Sequence, residues 1–263
     1  MSNKKHYIKM FLILSFGIAW LSEFLLILLY KLNKLDTSII QVFHFLIIGF
    51  GAGMAPAYAA FIVEKKYNAI TLKSFIKQIF HTKNYKTAFI TPVLFALIQF
   101  GACSIQEEYL GNPWYYFILY MPMMILGGGL EEVGWNGVFQ PYLEKHFPHL
   151  LSAIIGGVIW SVWHLPLWLI PNTAQSSYNF VAFTLYCIAL RVTLDTAYRI
   201  TKSVWISVLL HAWGNVVLGG KYSLTSLCNF PGIKTLLIYC IQLLLIICYG
   251  VLVGKYETNK LEK

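Results

Sequence analysis

Nine side chains able to carry charge or direct hydrogen bonds stand in otherwise apolar stretches: Glu23, His44, Glu131, Glu132, His164, Arg191, Asp195, His211 and Asn215. A charge at the centre of a membrane span costs about 2.5–3.5 kcal/mol on insertion scales, so such residues need a reason to be there. Two pairs share a spacing of four, Trp160 with His164 in "IWSVWHLPLW" and His211 with Asn215 in "LLHAWGNVV". Residues four apart stack on one helix face. One helix thus presents an aromatic ring beside an imidazole, and another presents an imidazole beside an amide. Glu131 and Glu132 in "LGGGLEEVGWNG" are neighbours and diverge by about 100° around a helix. One is expected to face a cavity while the other pairs elsewhere.

These residue types permit hydrolysis. A carboxylate and an imidazole together polarise a water, with the glutamate as general base. An imidazole and an amide on a second helix donate to a developing oxyanion. Two histidines and a glutamate also match a catalytic zinc site with an open position, although there is no HExxH and a metal would depend on convergence in space. The plainer readings are structural. His44 is expected to be a helix–helix hydrogen-bond partner, and Glu23 a structural partner or a residue lining the interior. Arg191 and Asp195, four apart, suit an intrahelical ion pair near the membrane edge, and Trp160 suits packing as well as it suits a site.

The elements that must position these residues are membrane helices. Of 263 residues, 58% are hydrophobic and 12% charged, against about 25% charged in a soluble domain. Eight apolar segments are long enough to cross, at 9–30, 39–63, 87–106, 114–135, 150–170, 179–198, 203–219 and 235–254; about 20 residues span the hydrocarbon core. The first is too long for a signal-peptide core and lacks a small-x-small cleavage site, so it is expected to be retained. The expectation is an all-α polytopic membrane protein of about eight transmembrane helices around an intramembrane catalytic cavity, one membrane domain over 1–263 with its motifs at 125–220. Between 64 and 86, Leu72, Phe75, Ile76, Ile79 and Phe80 form a stripe that Lys73, Lys77 and Lys83 avoid, the pattern of a short amphipathic helix on the inner leaflet.

The net charge of +9 follows topology and is not a nucleic-acid footprint. With the N-terminus inside, sixteen of the twenty basic residues fall on cytoplasmic parts: Lys4, Lys5, Lys9, six lysines between 65 and 86, Lys145, Arg191, Arg199, Lys202, Lys255, Lys260 and Lys263. Lys31, Lys34, Lys221 and Lys234 fall outside. The positive-inside rule then places both termini in the cytoplasm of a multi-pass cell-membrane protein. The five cysteines (Cys103, Cys187, Cys228, Cys240, Cys248) form no CxxC pair and suggest neither a disulfide framework nor a zinc ribbon.

"EEVGWNG", "WSVWH" and "HAWGN", in that order on successive spans, resemble the CPBP intramembrane proteases, the Abi family of type II CAAX prenyl endopeptidases and bacteriocin-processing or immunity relatives. The family pattern is EExxxR, an aromatic followed by xxxH, then HxxxN or HxxxD. The resemblance covers about 125–220. It implies a helical core with a catalytic cavity opening toward the cytoplasm. It also implies that Glu131 and His164 activate water while His211 and Asn215 stabilise the oxyanion, with Glu132, Asn136 and Trp160 in support. The family is often labelled a metalloprotease, and zinc remains the alternative to the metal-free mechanism favoured here, because Asn215 is a poor zinc ligand and a sound oxyanion donor. One departure stands out: the family arginine falls at Asn136, which cannot neutralise Glu132. Glu132 is then either protonated or paired with another cation such as Arg191, and Asn136→Arg is expected to be neutral or activating.

Counted at 1.5 Å per residue, Glu131 falls near the cytoplasmic end of its segment and His164 comes out deeper. Three functions compete. The favoured one is an endopeptidase acting on membrane-associated or lipid-anchored peptides or proteins. The second is a non-catalytic bacteriocin-immunity or regulatory protein of the same fold, which Asn136 would suit. The third is a proton-coupled transporter, against which the chain shows no paired halves.

Overall fold

In the computed structural model, the residues described are 2–32, 37–83, 85–106, 111–113, 115–171, 173–217 and 232–261. Among them there is no strand. Cys228, the basic residues Lys34, Lys221 and Lys263, and the last two residues of the segment at 203–219 lie outside the described residues.

In chain order the helices are α1 (Ser2–Leu32), α2 (Thr37–Leu46), α3 (Ala55–Asn68), α4 (Leu72–Ile79), α5 (Tyr85–Gln106), α6 (Tyr116–Leu126), the short α7 (Glu132–Gly134) and α8 (Gln140–Leu143), then α9 (His149–Trp163), α10 (Phe180–Thr201), α11 (Val204–Asn215) and α12 (Ile233–Leu261). Seven helical stretches among the described residues are long and apolar enough to cross a membrane. The protein is an all-α polytopic membrane protein. The segment at 203–219 is not among the seven; its described part holds α11 and a π-helical continuation to Val217.

Lipid-facing chemistry is plain on the outer helices. Leu21, Phe89, Leu97 and Leu252 are each more than 60% exposed, a disposition that suits hydrocarbon and not water. α9 and α10 form the buried centre, and α12 is the least buried span. α9 and α10 approach closely because Gly157 has no side chain: a Cβ there would lie 2.6 Å from the Ile188 backbone. α4 is amphipathic as its stripe predicts, capped by Thr71, whose hydroxyl accepts from Ser74 N–H at 3.2 Å. Its stripe divides: Phe75 and Ile79 pack on the bundle, while Leu72, Ile76 and Phe80 are exposed.

Two crossings are broken. The second runs through α2, a π-helical turn at Ile47–Ala52 and then α3, which has Pro56 in its first turn. The fourth runs from Tyr116 to Leu143, well beyond 135, and breaks after Leu126 at Gly127–Gly128. Glu131 therefore sits near mid-span and not at the cytoplasmic end, because counting residues assumed one straight rod.

Cross-helix contacts sort the chain into two ends. At one, Tyr7 Oη donates to Glu64 Oε1 at 2.5 Å, Lys83 N–H donates to Thr201 O at 3.2 Å and His149 Nε2 meets Thr196 Oγ1 at 3.1 Å. The C-terminal half of α12 is at this end as well, where a Cβ on Gly250 would lie 2.8 Å from Thr196 Cγ2. At the other end, Tyr30 Oη meets His44 Nδ1 at 3.0 Å, and Leu26, Ile27, Leu167 and Ile170 form a separate apolar cluster. The start of α1 and the far half of α12 thus share one end.

Candidate active site

Glu131, Trp160, His164, His211 and Asn215 line one cavity of about 330 Å³. Three elements bring them together. Glu131 ends a single 3-10 turn, Gly129–Glu131, that follows the break in the fourth crossing. Trp160 lies in the last turn of α9 and His164 caps its C-terminus, where Pro166 ends the α-helix and a 3-10 turn, Leu165–Leu169, follows. His211 and Asn215 lie on one face of α11.

Trp160 is the hub. Its indole Nε1–H donates to Glu131 Oε2 at 2.7 Å, and its backbone carbonyl lies 2.9 Å from His164 Nδ1. Since a carbonyl only accepts, Nδ1 carries the proton, and the neutral His164 ring keeps its lone pair on Nε2. The Trp160 ring also lies 5.2 Å, centroid to centroid, from both the His164 and the His211 rings. Trp163 and Phe183 complete an aromatic wall around His164 at 4.7 and 5.4 Å. Trp160 thus both packs among these rings and donates to a cavity carboxylate.

Glu132 turns away from the cavity, as the divergence of neighbouring helical residues requires. Its Oε1 accepts from His211 Nδ1 at 3.1 Å and its Oε2 accepts from Arg191 Nη1 at 2.7 Å. Arg191 Nη2 donates to Asn136 Oδ1 at 2.8 Å and also bonds Asp195. The expected intrahelical pair of Arg191 and Asp195 is present, and it is buried in the bundle, with Arg191 2% exposed and Asp195 and Glu132 0% exposed. The physical reason is Glu132, a buried carboxylate that requires a buried cation. Asn136 replaces the motif arginine without leaving Glu132 unpaired, because α10 supplies the guanidinium and Asn136 helps to hold it.

The His211 ring is oriented by Glu132, which leaves Nε2 facing Gly128. A Cβ on Gly128 would lie 2.5 Å from Asn215 Nδ2 and 3.2 Å from His211 Nε2. The two side chains therefore converge on a space that glycine keeps open. Gly128 stands in none of the three motifs; its signal in the sequence is the run Gly127–Gly128–Gly129 inside a membrane segment.

Glu23 and His44 also line the cavity. His44 is a helix–helix partner through Tyr30, as expected, and stands at the cavity wall too. Glu23 is 1% exposed, and its Oε2 has no hydrogen-bond partner among the described residues. The connection between α9 and α10 contributes Thr173, Ala174, Gln175 and Tyr178, a wall that no pattern in the sequence announced. It belongs to the end of the bundle opposite the start of α1. The cavity thus takes part of its wall from the end of the bundle away from the N-terminus. A larger cavity of about 500 Å³, lined by Lys5, Glu64, Tyr67 and Lys145, lies at the N-terminal end and shares no lining residue with the site.

Among the described residues, no three side chains of His, Cys, Asp or Glu gather in a way that could hold a metal ion. Glu132 and His211 Nδ1 are already engaged with each other, and Glu131 Oε2 with Trp160.

Residues 112–217 match the family model for type II CAAX prenyl endopeptidase Rce1-like proteins. A protein of Methanococcus maripaludis described as CAAX prenyl protease 2 is 29% identical over 139 residues, covering 46% of this chain and 50% of that relative. The chain thus spans about half the length of the curated relative it matches. The family resemblance seen in the three motifs is borne out. The Rce1-like segment contains every residue of the Glu131–Trp160–His164 and Glu132–Arg191–His211 sets. Glu23 and His44 lie outside it and join the site through the packing of α1 and α2 alone.

Proposed function

We propose that this protein is an intramembrane endopeptidase that hydrolyses peptide bonds of membrane-associated protein or peptide substrates. The observation that carries this reading is the presence of Glu131, His164, His211 and Asn215 on the wall of one cavity. The Rce1-like match over the same residues supports it.

Glu131 and His164 Nε2 take hydrogen bonds from a water, and Glu131 removes its proton as the oxygen attacks the scissile carbonyl carbon. Trp160 holds the Glu131 carboxylate by one oxygen, leaving Oε1 for the water. The carbonyl oxygen becomes an oxyanion beside Gly128, where Asn215 Nδ2 donates to it. His211 Nε2 can donate only when the ring is doubly protonated, since Nδ1–H is committed to Glu132. The Glu132–Arg191–Asn136–Asp195 network positions His211 and touches no substrate. The C–N bond then breaks, and the proton held by Glu131 passes to the leaving amine.

The mechanism is written without a metal, because Asn215, an amide, is a poor zinc ligand and a sound oxyanion donor. The non-catalytic alternative drew its support from Asn136. With Arg191 on Glu132, Asn136 no longer counts against catalysis.

The test is proteomics of membrane peptides in cells carrying wild-type protein or Glu131→Gln, with the biological phenotype scored alongside. Peptides that are cut in wild type and intact in the variant support the reading. A phenotype that persists in full without the carboxylate overturns it.

A further inference from the structure

The access route to the site follows from three observations. The first is the cavity wall, which includes Thr173, Gln175 and the exposed Ala174 of the α9–α10 connection. The second is the pairing of ends: this connection shares its end with Tyr30, His44 and the Leu26–Ile170 cluster, while the start of α1, α4 and the α10–α11 junction occupy the other. The third is charge. The lysines of 64–86, with Lys5, Lys9, Lys145, Arg199 and Lys202, all stand at the end away from the cavity mouth. Among described residues the mouth's end has only Lys31 and Lys234. Removing the buried Arg191 from the tally leaves this asymmetry intact.

Membrane proteins keep their lysine-rich ends in the cytoplasm, and the rule is strongest for short connections such as these. We propose that the catalytic cavity is reached from the non-cytoplasmic face of the membrane. The substrate class is then a polypeptide segment exposed on that face: an exported peptide, or the outer-leaflet end of a membrane-anchored chain. A lipid-modified C-terminus presented from the cytoplasm would arrive at the opposite end, at the lysine-rich surface, with the bundle centre between it and Glu131. This inference rests on the protease reading for the word substrate, but the sidedness of the cavity stands without it.

The test is labelling of intact cells with a membrane-impermeant maleimide, using the full chain and subtracting the signal of the parent protein. Ser176→Cys, exposed beside the mouth, reports one end; Lys77→Cys, exposed on α4, reports the other. The expected result is that Ser176→Cys labels equally in intact and lysed cells, whereas Lys77→Cys labels only after lysis. Labelling of Lys77→Cys in intact cells, or of Ser176→Cys only after lysis, overturns the proposal. A C-terminal reporter fusion should score cytoplasmic, and a non-cytoplasmic score counts equally against it. Repeating the labelling in Glu131→Gln separates the two readings, since loss of cleavage leaves the sidedness result unchanged.

Discussion

Trp160 donates its indole N–H to Glu131 Oε2 at 2.7 Å across 29 residues of sequence, and through its own carbonyl it fixes the tautomer of His164 four residues on. One residue thus positions both groups assigned to water activation. Trp160→Phe keeps an aromatic side chain and the carbonyl but removes the N–H donor together with the pyrrole half of the indole. A hydrogen bond to a charged group contributes about 1.5–3 kcal/mol, so cleavage should slow by about 10- to 100-fold with the protein still inserted and monodisperse. Single-turnover cleavage of an identified substrate peptide checks this; an unchanged rate would make the indole bond incidental.

The catalytic set should show graded losses. Glu131→Gln and His164→Ala are expected to slow cleavage by about 10²–10⁴-fold, the usual worth of a positioned general base. Asn215→Ala should cost about 10²–10³-fold, as for one oxyanion donor, with His211→Ala in that range or lower. His44→Ala should lower stability through the lost Tyr30 bond more than it lowers rate. Rates measured beside detergent melting curves separate the two.

Arg191 and Asn136 should respond in a way that the sequence pattern alone misjudges. Removing one partner of a buried ion pair costs about 3–5 kcal/mol, so Arg191→Met should destabilise the fold and disorder His211. Asn136→Arg, expected from the motif to be neutral or activating, should instead destabilise. It places a second guanidinium against Arg191 in a site that is 0% exposed. Melting temperature and cleavage, compared for both variants, decide it; a fully stable and active Asn136→Arg would show that Arg191 can be displaced.

Gly128→Ala should mimic the loss of Asn215. Its Cβ would fall 2.5 Å from Asn215 Nδ2, closer than atoms approach, and would fill the proposed oxyanion position. The expected outcome is a loss of about 10²–10³-fold with a nearly unchanged melting curve. Combining Gly128→Ala with Asn215→Ala should add little, because both remove the same interaction.

Activity should survive stringent chelation. Stoichiometric zinc in active purified protein, with activity lost on its removal and regained on its return, would replace the mechanism given above.

What the sequence determined by itself is what depends on local composition. In a bilayer each backbone polar group must be satisfied within its own segment, so an apolar run of about 20 residues specifies a helix without reference to its neighbours. The seven crossings, the amphipathic α4 and the four-residue spacings on α9 and α11 were legible for that reason, as was the divergence of Glu131 from Glu132. What only the tertiary structure decided is what passes between helices. Arg191 meets Glu132 across 59 residues because a buried carboxylate attracts whichever cation packing brings near, and no periodicity encodes that meeting. Glu23 and His44 reach the cavity through the packing of α1 and the broken second crossing. The lining of the cavity was decided there too, because the break at Gly127–Gly128 moves Glu131 to mid-span and the α9–α10 connection supplies part of the wall.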